Sequence, residues 1–252
     1  MVQKEMKQIP NLFTLLNLVF GCIAIVYIFK TDGILFSRTE GSFSLGFVIA
    51  GVFIFLAAIV DFLDGFVARL FNATSNMGAQ LDSLADTVSF GVAPSMILFQ
   101  LLEIAFIKTG IQPSFVLLLP AFLVACCGVW RLARFNLDKE QTYYFKGVPI
   151  PAAGLTIASL PFIIYYGPDW MLRYIYNPYI LYGVILIVSV LMVSKLPLIS
   201  LKFKNFSIKS NLDKFIILII AIISMIFFRW AAVPFIFVAY VLVSLIFKPN
   251  KK

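Results

Sequence analysis

The sequence predicts an all-α protein, a polytopic membrane bundle of about eight transmembrane helices forming one domain over residues 1–252. Three observations carry this. Hydrophobic residues make up 62% of the chain and charged ones only 13%, where soluble domains carry about a quarter charged residues. Apolar runs stand at about 12–29, 43–70, 79–107, 115–135, 149–167, 176–194, 213–229 and 231–247, close to the roughly 17–25 residues that cross a hydrocarbon core. The runs are continuous rather than alternating, which selects helices over a β-barrel.

In chain order, the first run follows a basic start, MVQKEMKQIP, with no small-x-small cleavage site behind it, so it reads as a retained span. The second is longer than one crossing, and its charged end should protrude at the interface. The NATSN link at 72–76 forces the second and third helices antiparallel, with Ser75 or Asn76 as the N-cap. Pro149 and Pro151 open or kink the fifth helix. The last two runs, joined only by Arg229–Ala231, read as two spans or as a re-entrant pair. Hydrophilic connections lie at 30–42, 136–147 and 195–212, which leaves no room for a soluble domain.

With eight spans both termini share one side of the membrane. That side collects fifteen basic residues, from Lys4 and Lys7 to Lys251 and Lys252, against Lys30, Arg38, Lys108, Arg173 and Arg229 on the other. This positive-inside bias predicts a protein of the cytoplasmic (inner) membrane with both termini in the cytoplasm. The segment 195–214, KLPLISLKFKNFSIKSNLDK, also suits anionic lipid headgroups, at about 1 kcal/mol per basic residue. These lysines hug the membrane instead of forming a separate basic module, so nucleic acid is excluded as a partner. Histidine is absent, which removes His-based acid–base chemistry, His metal ligands and Ser-His-Asp hydrolysis. Cys22, Cys126 and Cys127 lie in apolar runs without a disulfide framework and read as small packing residues.

Against this background DFLDGFVARLFNATSNMGAQLDSLAD, residues 61–86, holds four of the 12 acidic residues between two apolar runs. Asp61 and Asp64 share a face of the second helix, three residues apart; Asp82 and Asp86 share one of the third, four apart. The antiparallel hairpin lets all four converge a turn or two beneath the cytoplasmic surface. Bare anions there would repel, and each buried charge costs several kcal/mol. A divalent cation resolves this, and oxygen-only ligands select Mg²⁺, Mn²⁺ or Ca²⁺ over Zn²⁺. Gly65, Ala68, Gly78, Ala79 and Ala85 clear faces for close helix packing or for a phosphorylated ligand. Arg69 sits near the mouth, where a guanidinium can hold phosphate. Residue types alone leave an enzyme and a cation pathway both open, since transporters also use intramembrane acids.

The stretch reads D-x2-D-G-x2-A-R-x8-G-x3-D-x3-D, with Asp61, Asp64, Gly65, Ala68, Arg69, Gly78, Asp82 and Asp86 in every fixed position. This resembles the signature of the CDP-alcohol phosphatidyltransferases. IPNLFTLLN at 9–17, DSLADTVSFGVAPS at 82–95, RLARFN at 131–136 and FKGVPIPAAG at 145–154 resemble the phosphatidylserine synthase branch of that family. The similarity runs from the first span to about residue 165, so 1–165 is expected to be the catalytic core and 166–252 to add further helices.

The resemblance implies metal-dependent transfer of a phosphatidyl group from CDP-diacylglycerol to the hydroxyl of L-serine, with release of CMP, in a homodimer. It implies one or two Mg²⁺ or Mn²⁺ ions on Asp61, Asp64 and Asp82, with Asp86 close by, and gives Asp86 the role of general base. Gly65, Ala68, Arg69 and Gly78 would hold the CDP end. Asn11 and Thr14 are either nucleotide contacts or a cap and anchor of the first span. For the acceptor, Arg131, Arg134 and Lys146 suit a carboxylate, though positive-inside anchoring explains them equally; Ser89 and Asn136 are further polar candidates. A sister transferase using glycerol 3-phosphate, inositol phosphate or an ether-lipid donor would share the same eight-residue core.

Overall fold

Each of the eight apolar runs is helical in the computed structural model, which describes residues 9–30, 35–38, 41–70, 75–137, 144–199 and 211–247. Helix α1 (Ile9–Phe29) leads through an antiparallel β1 (Leu35–Arg38)–β2 (Gly41–Ser44) ladder into α2 (Leu45–Leu70). Next come α3 (Asn76–Asp86), a π-helical turn at Thr87–Val92 and α4 (Ala93–Lys108). A short α5 (Phe115–Leu118) passes through a 3-10 turn into α6 (Leu123–Leu137); Pro120, which lacks an N–H, sits in that turn. Strand β3 (Tyr144–Lys146) precedes α7 (Ile150–Ala158), α8 (Leu160–Tyr166), α9 (Asp169–Ile175) and α10 (Pro178–Val193). Strand β4 (Pro197–Ile199) pairs antiparallel with β3, and α11 (Leu212–Phe228) and α12 (Ala232–Ile246) close the described chain.

Among the described residues, five helical stretches are long and apolar enough to cross a membrane alone: Pro10–Phe29, Leu45–Leu70, Asn76–Lys108, Phe115–Leu137 and Leu212–Ile246. A sixth arises if α9 and α10, bent by 71°, make one span. The chain is therefore an integral membrane protein. The difference from eight has two sources. Ile150–Tyr166 is short for a crossing, and Leu212–Ile246 counts once although its 35 residues would reach about 52 Å if straight. At Arg229 the backbone turns to φ 48°, ψ −113°, and α11 and α12 pack against each other.

The stretch Asn76–Lys108 is the most enclosed of the five. Two glycines let neighbours close on its π turn. A Cβ on Gly21 of α1 would lie 2.8 Å from Ser89 Cα, and one on Gly154 of α7 would lie 2.7 Å from the Phe90 carbonyl oxygen. The core around them is apolar and continuous, with Phe90, Ile97, Leu101, Ile150 and Ile157 fully enclosed. One expectation changes here. Cys22 and Cys126 face outward, and of the three thiols Cys127 packs on the core; a thiol is apolar enough to face lipid.

The C-terminal hairpin is pinned at both ends. Trp230 stacks on Phe162 and Tyr166 of α8, at centroid distances of 4.8 and 5.5 Å. Tyr240 Oη donates to the Ile199 carbonyl at 3.0 Å, and Ser244 Oγ accepts from Ile199 N at 3.3 Å. The β3–α7 connection is lashed to the end of α10 by Gly147 N to Leu196 O (3.0 Å) and Val148 N to Leu191 O (3.1 Å). Gly147 has φ 79°, where any side chain would collide with the Met192 carbonyl. Of the basic residues read as topology signals, Lys4, Lys7, Lys139, Lys202, Lys204, Lys209, Lys248, Lys251 and Lys252 lie outside the described residues.

The close approach at the π turn gives a stability prediction. Gly154→Val is expected to destabilise the bundle by about 1–3 kcal/mol, seen as a lower unfolding temperature in detergent. Gly183→Ala, whose Cβ would meet nothing within 4 Å, should leave that temperature essentially unchanged.

Candidate functional site

The acidic residues come together where α1, α2 and α3 meet. Ser75 caps α3, its hydroxyl accepting from Gly78 N at 2.9 Å, so the helix starts where the sequence expects and carries Asp82 and Asp86 on one face. Helix α2 brings Asp61 and Asp64 from the opposite direction. Carboxylate oxygens of Asp61, Asp64 and Asp82 all lie within 4.8 Å of one another. Asp86 lies one turn deeper, 6% exposed, within hydrogen-bonding reach of Asp61.

The third wall is α1. Asn11, Thr14 and Asn17 recur every three residues on one face of an otherwise apolar helix. Thr14 Oγ1 donates to Asp64 Oδ2 at 2.8 Å, and Asn17 Nδ2 donates to Asp86 Oδ1 at 3.2 Å. Both side chains are buried, Asn17 completely. Asn17 was not singled out by the sequence reading, although its spacing from Asn11 and Thr14 was the available signal. Its backbone carbonyl also accepts from Ser89 Oγ at 2.9 Å, tying the π turn to α1.

Beside the acids opens a cleft of about 190 Å³ lined by Pro10, Asn11, Asp64, Gly65, Ala68, Ser75, Gly78, Ala79 and Asp82. Six of these, Asn11, Asp64, Gly65, Ala68, Gly78 and Asp82, are residues the sequence marked for metal or CDP-lipid. A Cβ on Gly65 would meet nothing within 4 Å, whereas one on Gly78 would stand 3.1 Å from Asn11 Oδ1. The first glycine keeps the cleft open, and the second lets α3 approach α1. Arg69 is exposed in the last turn of α2.

The five acceptor candidates separate. Arg131 is 5% exposed, stacks over the Phe135 ring at 5.3 Å and lies near Asp86 and Tyr240. Arg134 donates to the Val193 carbonyl at 2.8 Å, at the C-terminal end of α10, where a cation is favoured. Ser89 is fully buried against α1. Asn136 is exposed and donates to Ser83 Oγ at 2.9 Å. Lys146 ends β3 opposite Pro197.

The cluster's chemistry is constrained by charge. Two carboxylate oxygens no more than 4.8 Å apart repel by about 3.5 kcal/mol or more at an effective dielectric of about 20. A divalent cation reverses the sign of that cost. Oxygens on one hard ion are separated by at most about twice its metal–oxygen distance, about 4–5 Å for Mg²⁺ to Ca²⁺. The 4.8 Å bound on the spacing of Asp61, Asp64 and Asp82 lies within that range, toward its Ca²⁺ end.

Comparison with known proteins agrees with this geometry. The CDP-alcohol phosphatidyltransferase family profile matches residues 7–196. The chain is 35% identical over 191 residues to the CDP-diacylglycerol–serine O-phosphatidyltransferase of Bacillus subtilis, covering 76% of this chain and 89% of that one. It is 34% identical over 225 residues to the enzyme of the same name from Helicobacter pylori strain J99, covering 87% and 81%. An archaetidylserine synthase from Methanothermobacter thermautotrophicus is 31% identical over 153 residues, covering 60% and 56%. The acids on α2 and α3, the cleft beside them and these matches lead to one conclusion: this chain is a member of the CDP-alcohol phosphatidyltransferase family.

Proposed function

We propose that the chain transfers the phosphatidyl group of CDP-diacylglycerol to the hydroxyl of L-serine, giving phosphatidylserine and CMP. The observation that carries this is the convergence of Asp61, Asp64, Asp82 and Asp86 beside an open cleft. The relatives support serine as the acceptor, because the two bacterial names give serine as the phosphatidyl acceptor and the archaeal one names a serine lipid. The archaeal name also favours one variant reading, the same transfer from an ether-lipid donor.

Asp61, Asp64 and Asp82 are suited to hold Mg²⁺ or Mn²⁺, with Asp86 adjoining. A bound ion there supplies charge neutralisation at the pyrophosphate as its anhydride bond breaks. The chain's own groups do the rest. Gly65 and Ala68 leave room for the cytidine end, Asn11 and Gly78 form the opposite wall, and Thr14 holds Asp64 in place. Asp86 takes the proton of the serine hydroxyl, whose oxygen forms a bond to the β-phosphorus. The phosphoanhydride bond breaks, and its electron pair leaves with CMP. With no histidine in the chain, a buried carboxylate is the base within reach. Arg131, enclosed beside Asp86, is placed to receive the serine carboxylate.

The basic bias supports eight crossings in the cytoplasmic membrane, with both termini and the active site on the cytoplasmic side. Acyl chains then stay in the bilayer while serine arrives from water. The catalytic core would occupy 1–165 and the remaining helices would buttress it, in the homodimer that the family implies.

The test is CMP release by purified protein with CDP-diacylglycerol, Mn²⁺ or Mg²⁺, and one alcohol at a time. CMP is expected with L-serine and not with glycerol 3-phosphate or inositol phosphate; release with one of those alone would refute the acceptor. Exhaustive chelation is expected to abolish release, and added Mn²⁺ or Mg²⁺ to restore it. Asp86→Asn is expected to lower kcat by about 10²–10⁴-fold while CDP-diacylglycerol still binds. A fully active variant would remove Asp86 from the base role.

A further inference from the structure

Asn17 is 0% exposed, and its two amide atoms have unequal fates. Nδ2 donates to Asp86 Oδ1 at 3.2 Å. Oδ1 is enclosed and meets no hydrogen-bond donor among the described residues. The assignment of the two atoms follows from chemistry, since an ionised carboxylate only accepts and therefore faces the NH₂ group. An enclosed acceptor without a donor is costly and uncommon. This one stands at the proposed catalytic carboxylate, because the heteroatoms of an amide are only about 2.3 Å apart.

The surrounding structure holds Asn17 in that position. Ser89 Oγ donates to its backbone carbonyl at 2.9 Å, and Gly21, one turn on, lets Ser89 press against α1. The π turn begins directly after Asp86, so α1 grips the chain on both sides of the point where the helix widens. π turns of this kind recur at functional sites.

We propose that Asn17 selects the acceptor: its NH₂ fixes the Asp86 carboxylate, and its carbonyl oxygen receives the ammonium group of a 2-amino alcohol. The inference rests on the proposed reading of Asp86 as the base for a serine hydroxyl. In such an alcohol the hydroxyl and ammonium are vicinal, about 3 Å apart when gauche. A hydroxyl bonded to Asp86 therefore carries its ammonium to within one hydrogen bond of Asn17 Oδ1. With Arg131 on the carboxylate, serine meets three groups from three helices. An ammonium is also the donor that best repays an enclosed carbonyl, because a charged donor strengthens the bond.

The experiment compares L-serine with 3-hydroxypropionate, which keeps the hydroxyl and carboxylate and lacks the ammonium. CMP release is measured with the full chain, CDP-diacylglycerol and Mn²⁺, for the native protein and for Asn17→Ala and Asn17→Leu. The native protein is expected to favour serine in kcat/KM by about 10–100-fold, the range of one hydrogen bond to a charged group. In the variants kcat falls for both acceptors as Asp86 loses its partner. KM for serine rises about tenfold or more, KM for CDP-diacylglycerol stays within about twofold, and the preference collapses toward unity. An active variant that keeps the native preference overturns the proposal and leaves Asn17 a purely structural residue. Equal use of both acceptors by the native protein overturns it without any variant. No release with serine, but release with a different alcohol, overturns the function reading itself, and the inference falls with it.

Discussion

Repulsion among carboxylates a few ångströms apart is the constraint around which the rest of the structure is arranged. Left alone, Asp61, Asp64 and Asp82 would push α2 and α3 apart at the end where the hairpin is shortest. Two things oppose this within the chain. The Ser75 cap fixes where α3 starts, and the polar face of α1 supplies donors to Asp64 and Asp86 from Thr14 and Asn17. Those hydrogen bonds orient two acids but do not cancel the charge of the group. The remaining imbalance is what makes the site suited to a hard divalent cation and, through it, to a pyrophosphate.

The packing around the site follows from the same need for fixed geometry. The stretch Asn76–Lys108, whose first helix carries Asp82 and Asp86, is the most enclosed of the five long apolar stretches, and glycines on α1 and α7 let both neighbours approach its π turn. Beyond the family match, the C-terminal hairpin contributes from outside: Tyr240 binds the Ile199 carbonyl while lying beside Arg131. Helices whose sequence shows only hydropathy thus still bear on the position of an enclosed arginine next to the acids.

Much of this was legible in the sequence because it rests on periodicity. The i, i+3 and i, i+4 spacings of the acids, the short link at 72–76 and the small residues at 65, 68 and 78 all translate directly into shared faces. The β-ladders, the π turn and the outward orientation of Cys22 and Cys126 were not legible. Ladder pairing between 144–146 and 197–199 depends on contacts fifty residues apart. The π turn packs against Gly21 and Gly154 of distant helices, and local propensity does not encode it. Arg134 and Arg131 look alike in sequence, yet one caps the end of α10 and the other sits beside Asp86; only the neighbouring helices separate them. Asn17 belonged to a visible pattern with Asn11 and Thr14, and its importance emerges from Asp86 lying across from it.

The most direct test is the binding of Mn²⁺ to the purified protein, followed by electron paramagnetic resonance in the absence of any lipid substrate. If acids from both helices hold the same ion, Asp61→Asn on α2 and Asp82→Asn on α3 should each weaken binding about tenfold or more. Unchanged affinity after either substitution, in a protein that still folds, would contradict the shared site.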